Sequence, residues 1–263
     1  MEREIATLPP RRGEEEFIPE EKQVDIVIPW WNNNDLTLKC LESIAENTTI
    51  PYRVILINNG SEDSVSVLEK IQREIIWPKN LVVKQNIENV GWVKAVNQGL
   101  KEFLKGDGDY VVIMNNDTEV VKGWLKALKT KMEKDKELGL VSPLVDTKDQ
   151  DIYWEHYQKE KDNKYVSFIP FVCTMASKYV IQEVGLLDEK IDNGMGDDMD
   201  YCIRVKKMGL HIGVVKDIVI HHKHGASFSK LPNLEELKHK NRTYVNEKHE
   251  IKSGMENDPR YLV

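Results

Sequence analysis

Tyr110-Val111-Val112-Ile113-Met114-Asn115-Asn116-Asp117 joins five apolar residues to three polar ones. A short continuous apolar run closed by turn-forming residues predicts a strand buried on both faces of a parallel sheet. The same grammar occurs three times upstream. Val24-Asp25-Ile26-Val27-Ile28 stops at Pro29, Tyr52 to Ile57 stops at Asn58-Asn59-Gly60-Ser61, and Leu81-Val82-Val83 stops near Asn86. Helical spacing fills the intervals. Asp35 is placed to cap a helix carrying Leu36, Cys40, Leu41 and Ile44, and Ser64 the next, with Val65, Leu68, Ile71 and Ile75 along one stripe. Val93, Val96, Leu100 and Phe103 mark a third helix, and Trp124, Leu125, Leu128 and Met132 a fourth. Strand and helix alternating this way predict an α/β fold with a doubly wound, Rossmann-like, mostly parallel sheet.

The second half is less regular. Asp146 to Lys164 is polar, with Tyr153, Trp154, His156 and Tyr157 embedded in it, and reads as functional or mobile. An apolar run from Phe168 to Met175 precedes a short helix to Val184. A Gly-rich turn at Asn193 to Gly196 leads to a helix from Met199 to Met208. Ile212 to Ile220 reads as a bent strand or strand pair entering His221-His222-Lys223-His224. Residues 231–250 predict a charged helix with a thin stripe of Leu231, Leu234, Leu237 and Tyr244, its charged side a solvated face or a partner contact. Residues 1–22, rich in Glu, Arg and Pro, read as a mobile tail.

The 263 residues, 40% hydrophobic and 31% charged, suffice for one large α/β domain. A net charge of −7 argues against a general nucleic-acid binder. Cys40, Cys173 and Cys202 are scattered, which suits neither a thiolate zinc site nor a disulfide framework. The first residues carry no signal-peptide core, and no apolar stretch reaches the ~20 residues of an integral membrane segment. A cytoplasmic protein is expected, with any membrane contact peripheral.

Ligands of open α/β sheets bind beyond the carboxyl ends of the strands. Those ends are Pro29-Trp30-Trp31-Asn32, Asn58-Asn59-Gly60-Ser61 and Asn115-Asn116-Asp117-Thr118, and neither GxGxxG nor GxxxxGK[ST] occurs. Asp117, flanked by amides, offers hard oxygen to Mg²⁺ or Mn²⁺; the same tripeptide also makes a plain turn. Asp197, Asp198 and Asp200 crowd the start of a helix behind Gly194-Met195-Gly196. Capping explains them as well as a positioned general base does. His221, His222 and His224 suit either a surface or a site begun by Asp117. In the helix from Asn89 to Leu100, Asn97 interrupts the apolar side and Gly99 costs ~1 kcal/mol against Ala, so close backbone approach or a buried hydrogen bond is implied. Gly91 can admit a phosphate or sugar where N–H groups point outward.

These segments, taken in order, resemble the family 2 glycosyltransferases of GT-A fold, nearest the branch of rhamnosyltransferase-like enzymes of polysaccharide assembly. The likeness runs from about Val24 to about Ser227. Ile26-Val27-Ile28-Pro29-Trp30-Trp31-Asn32 is similar to the family opening and Ile57-Asn58-Asn59-Gly60-Ser61 to V-D-N-G-S. Asn89 to Leu100 resembles N-x-G-F-A-x-A-x-N-x-G-L, and Met114 to Thr118 resembles L-N-N-D-T, a form of the DXD motif. Val184 to Asp188, Gly196 to Arg204 and His222 to Ser227 resemble V-G-G-F-D-E, G-E-D-x-D-L-C-L-R and H-x-G-G-x-S.

The resemblance implies an inverting transfer of a sugar from a UDP-, dTDP- or GDP-sugar donor to a glycan or lipid-linked acceptor, with Mn²⁺ or Mg²⁺. It implies that Pro29, Trp31, Asn32 and Asn58 line the nucleoside pocket. Gly91, Lys94, Asn97, Asn116 and Asp117 complete the donor site. Asp117 and His222 hold the metal, with His221 as the alternative ligand. Asp198 is the implied base, and Asp197 orients it or touches the acceptor. It divides the chain into a donor half (23–135), an acceptor and catalytic half of the same domain (136–228) and a C-terminal helical extension (229–263). Asn58 stands where the family has Asp and Ser177 where it often has Arg, so nucleotide and acceptor stay open. So does the oligomeric state. The alternative is a catalytically silent module of this fold that binds nucleotide or sugar.

Overall fold

The structure, a computed structural model, describes residues 22–74, 81–146, 163–191, 193–223 and 233–251. All but the last residue of the expected tail, the aromatic cluster from Tyr153 to Tyr157, Ile75, His224, Ser227 and Leu231 lie outside them.

Four parallel strands form, β1 and β2 running two residues beyond the apolar runs as read: β1 (Val24–Trp30), β2 (Tyr52–Asn59), β3 (Leu81–Asn86) and β4 (Tyr110–Met114). Helices α1 (Asn34–Asn47), α2 (Ser64–Glu74) and α3 (Trp92–Lys105) connect them. The two-residue β5 (Thr118–Glu119) precedes α4 (Trp124–Lys134) and β6 (Leu138–Asp146). Then come β7 (Cys173–Ser177), α5 (Lys178–Val184), α6 (Asp197–Lys207), β8 (His211–His222) and α7 (Leu234–His249). They build one sheet of order β3-β2-β1-β4-β7-β6-β8-β5. β7 runs antiparallel to β4 and β6, and β5 antiparallel to β8. β6 and β8 are parallel, so β8 ends at the same edge as β1 to β4. β8 is one strand, bent where its register with β6 shifts after Pro143.

Alternation along each central strand feeds two cores. Val24, Ile26, Ile28 and Trp30 of β1 pack with α1, α2 and α4, while Val27 faces α3. Val112 and Met114 of β4 join the first core, and Val111 and Ile113 the second. Each such buried side chain contributes roughly 1.5–3 kcal/mol. β3, an edge strand, is only half-buried.

Helix starts differ from expectation in detail. Asn33, in the left-handed conformation that Asn tolerates, precedes α1, and Asp35 lies exposed in its first turn rather than capping it. Ser64 is the first residue of α2, one place inside the expected cap. Val65 is 68% exposed and leaves the expected stripe to Val67 and Ile71. Asp25, fully buried in β1, accepts from Arg53 Nε at 3.0 Å on neighbouring β2. Burial raises its carboxyl and Arg53 only partly reverses this.

Gly99 is where α3 meets the sheet. A Cβ there would lie 2.2 Å from Val27 Cγ1, so helix and strand would have to part. Gly99→Ala is therefore expected to cost about 1–3 kcal/mol despite its better helix propensity. A thermal midpoint equal to or above wild type would contradict this.

Candidate active site

The site occupies the sheet edge where β1 to β4, β6 and β8 end. Two loops there are laced together. Asn32 N donates to Ser61 Oγ at 2.9 Å, Ser61 Oγ donates to Trp30 O at 3.1 Å, and Glu62 N donates to Asn32 Oδ1 at 3.0 Å. Asn58 Oδ1 accepts from Ser61 N at 2.9 Å, closing the turn after β2. An asparagine network extends this floor. Asn59 Nδ2 donates to Asn89 Oδ1 at 2.8 Å, while its Oδ1 accepts from Asn86 Nδ2 at 3.0 Å and Val90 N at 3.1 Å.

At the end of β4 the strand's phase decides the roles. Asn116 continues the Val112–Met114 side towards α1, where its Nδ2 donates to Thr37 Oγ1 at 2.8 Å, and it is 6% exposed. Asn115 and Asp117 take the other side. The antiparallel pairing of β5 with β8 sets Thr118 opposite His222, bringing His222 Nε2 within 3.1 Å of both Asp117 Oδ1 and Asn115 Nδ2. His221 instead faces Asp146, with Nδ1 3.1 Å from Oδ2. Of the two histidines, His222 is the one beside Asp117.

One imidazole nitrogen cannot be acceptor for Asn115 and donor for Asp117 at once. With its lone pair outward, His222 Nε2 faces the Asp117 carboxylate at a spacing that suits a shared cation. Adjacent ligands of an octahedral ion at ~2.1 Å lie about 3.0 Å apart. The donor set, one carboxylate and one imidazole, fits Mg²⁺ or Mn²⁺ completed by phosphate and water. Among the described residues no group of three His, Cys, Asp or Glu could hold a metal by itself.

A second acidic group lies at the start of α6. Asn193, Gly194, Met195 and Gly196 have φ of 53, 85, 61 and 120°, a left-handed run that costs roughly 1–2 kcal/mol at Met195. Asp197 is 4% exposed and its Oδ2 accepts from Trp92 Nε1 at 3.0 Å, which ties α6 to the start of α3. Asp198 is half-buried, and its Oδ1 accepts from Met199 N at 2.8 Å. Burial, then the neighbouring Asp197 charge, raises the Asp198 carboxyl well above the usual range. Burial also raises Asp197, and Trp92 opposes it. Asp200 behaves differently. Burial alone would raise it, but Arg204, Lys248 and His249 overcome this and hold it below its ordinary value.

Several expected donor residues have other work. Pro29 is buried inside β1 opposite Ile57. Asn97 is 1% exposed, and its amide is consumed by Leu187 N and O at 3.0 and 2.9 Å and by Glu189 Oε1 at 3.0 Å. It pins the turn before the loop that leads to Asp197 and Asp198. Gly91 has φ 89°, and a Cβ there would lie 2.9 Å from Asn193 Oδ1, so the loop before α6 packs closely against it. Trp31 is half-buried and Lys94 exposed at the start of α3. Asp117, His222, Asp197 and Asp198 thus share one sheet edge.

The family profile for glycosyl transferase family 2 matches residues 25–185. The chain belongs to this family. A poly(ribitol-phosphate) beta-glucosyltransferase of Bacillus spizizenii (strain ATCC 23059 / NRRL B-14472 / W23) is 24% identical over 220 residues, 73% of this chain and 34% of that protein. The uncharacterized glycosyltransferase YwdF of Bacillus subtilis (strain 168) is 29% identical over 112 residues, 42% of this chain and 38% of that one. The chain spans 38% or less of the length of the curated relatives it matches. Among solved structures, GalNAc-T7 with UDP, GalNAc and Mn²⁺ has TM-score 0.65 at 15% identity, covering 86% of this chain and 48% of that one. The mannosyltransferase PcManGT of Pyrobaculum calidifontis, with GDP-Man and Mn²⁺, has TM-score 0.64 at 16% identity, covering 86% and 70%. These likenesses establish the GT-A fold. Among the described residues no helix is long and apolar enough to cross a membrane.

Proposed function

We propose that the chain transfers a sugar, with inversion, from a nucleoside-diphosphate donor to an acceptor hydroxyl, using Mn²⁺ or Mg²⁺. One observation carries this reading. A half-buried carboxyl of raised proton affinity, Asp198, stands at the same sheet edge as the Asp117–His222 pair. Family 2 membership and neighbours solved with UDP or GDP-Man support a nucleotide-linked donor. The partial likeness to a poly(ribitol-phosphate) glucosyltransferase and the motif likeness to the rhamnosyltransferase-like branch support a glycan-assembly acceptor.

Asp117 and His222 would hold the divalent ion, which when bound offsets charge on the leaving diphosphate. Asp198, ionised, takes the proton of the acceptor hydroxyl while that oxygen forms its bond to the anomeric carbon. The bond from that carbon to the diphosphate oxygen breaks with its electron pair staying on the diphosphate. Asp197, held by Trp92, fixes the backbone from which Asp198 projects. Base catalysis of this kind contributes ~10²–10⁴-fold. The buried, mutually repelling Asp197–Asp198 pair favours a catalyst over a silent module, because binding alone has no use for it.

Incubation with UDP-, dTDP- and GDP-sugars is the test. Slow release of one nucleoside diphosphate, dependent on Mn²⁺ or Mg²⁺ and abolished by EDTA, is expected even without acceptor. Tight binding of a donor with no release and no transfer would favour the silent module.

A further inference from the structure

The profile match ends at residue 185, short of the loop that leads to Asp197 and Asp198 and of α7. Glu235, Glu236, Lys238, Lys240 and Arg242 of α7 are exposed, as the charged face predicts, while the other side of the helix closes on that loop. Asn241, 1% exposed, donates from Nδ2 to Gly194 O at 2.7 Å, within the left-handed run that leads to Asp197 and Asp198. Val245 is fully buried, with Cγ2 3.5 Å from where a Cβ on Gly196 would lie. One turn later Lys248 Nζ lies 2.6 Å from both Asp188 Oδ2 and Asp200 Oδ1. Tyr244 OH donates to Asp188 Oδ2 at 2.8 Å. His249 Nδ1 lies 3.1 Å from the Lys207 ammonium, a donor only, so its Nε2–H donates to Asp200 Oδ1 at 2.8 Å. Ile251, just beyond, is buried in the α3-side core.

These bonds act on both ends of one unit. Asp188 lies beside the turn that Asn97 pins from α3, and Asp200 lies on the first turn of α6, two residues after Asp198. The loop between them holds four consecutive positive φ values, a conformation that needs outside restraint to persist. α7 supplies bonds at the middle of that loop and at both flanks.

We propose that α7 is a latch that presents Asp198, with Asn241 and Lys248 as positioning residues for transfer; this rests on the functional reading above. Neither residue is assigned a contact with donor or acceptor. Their loss should lower turnover through misplacement of the base, for which a shift of ~1 Å costs up to ~10²-fold. Donor affinity, set at the Asp117 wall, should hold.

The experiment uses the full chain, with Asn241→Ala, Lys248→Met and Lys248→Arg, and reads kcat, donor KM and amide hydrogen exchange. Asn241→Ala and Lys248→Met are expected to lower kcat about 10–100-fold with donor KM within about twofold. Exchange protection should fall at residues 193–199 and hold in β1, β2 and β4. Lys248→Arg, which keeps a cation between Asp188 and Asp200, should retain kcat within about threefold. Unchanged kcat in Asn241→Ala and Lys248→Met would overturn the latch. So would loss of protection spread evenly over the sheet, which marks a general stability contact. A wild-type chain without transferase activity would defeat the functional reading alone. The exchange pattern would then still show whether α7 restrains the loop.

Discussion

Asp198→Asn is expected to lose about 10²–10⁴-fold in transfer while melting at a higher temperature than wild type at pH 8. Both effects have one origin. Burial and the Asp197 charge make the folded carboxyl bind its proton more tightly than the unfolded one does, near 3.9. Stability from this group is therefore complete below about pH 4 and is lost as pH rises through the raised folded value. Asparagine has the shape of the protonated acid and never ionises. The variant should gain over wild type at neutral and alkaline pH, and the gain should vanish near pH 4. Unfolding scans without metal at the two pH values, alongside transfer assays, check the pair of outcomes. A variant that is inactive but no more stable at pH 8 would show that the carboxylate is not held under strain.

Asp117→Ala should remove metal-dependent donor binding and leave the fold intact. Asp117 Oδ1 and His222 Nε2 lie 3.1 Å apart, both largely buried, whereas the His221–Asp146 pair at the same end is exposed. A nucleoside diphosphate at 100 times its Kd stabilises the native state by about 2.7 kcal/mol. In wild type that shift should appear with Mn²⁺ and shrink with EDTA; in the variant it should be small in both. Asp198→Asn should keep the full shift. The contrast separates the donor wall from the base, because general loss of structure would abolish both.

Repetition made the fold readable. Val24 to Ile28, Tyr52 to Ile57 and Tyr110 to Met114 are apolar at their buried positions except Asp25, and Val93, Val96, Leu100 and Phe103 keep helical spacing. Their meaning is local, so it survives in one dimension. At the site, motif order pointed to Asp198 and to Asp117 and His222, which the structure sets 3.1 Å apart, whereas the hydrogen bonds of the asparagines had no sequence signal. Asn116 and Asn97 look like ligands in a string of letters, yet each is spent on a neighbouring element. Alternation through Met114 already placed Asn115, and not Asn116, on the side of Asp117. The α7 contacts had no comparable signal. Gly194 and Asn241 are 47 residues apart, Asp200 and His249 49, and Asp188 and Lys248 60. Only folding brings their charges together, and in sequence they read as an ordinary solvated helix.

The most direct measurement is anomalous diffraction from crystals soaked in Mn²⁺ and a nucleoside diphosphate. The expected result is a manganese ion within ~2.2 Å of Asp117 and His222, carrying a diphosphate on the side that Asp198 faces. Manganese bound elsewhere, or a diphosphate with Asp198 on the far side of the molecule, would contradict a single cleft shared by donor and base.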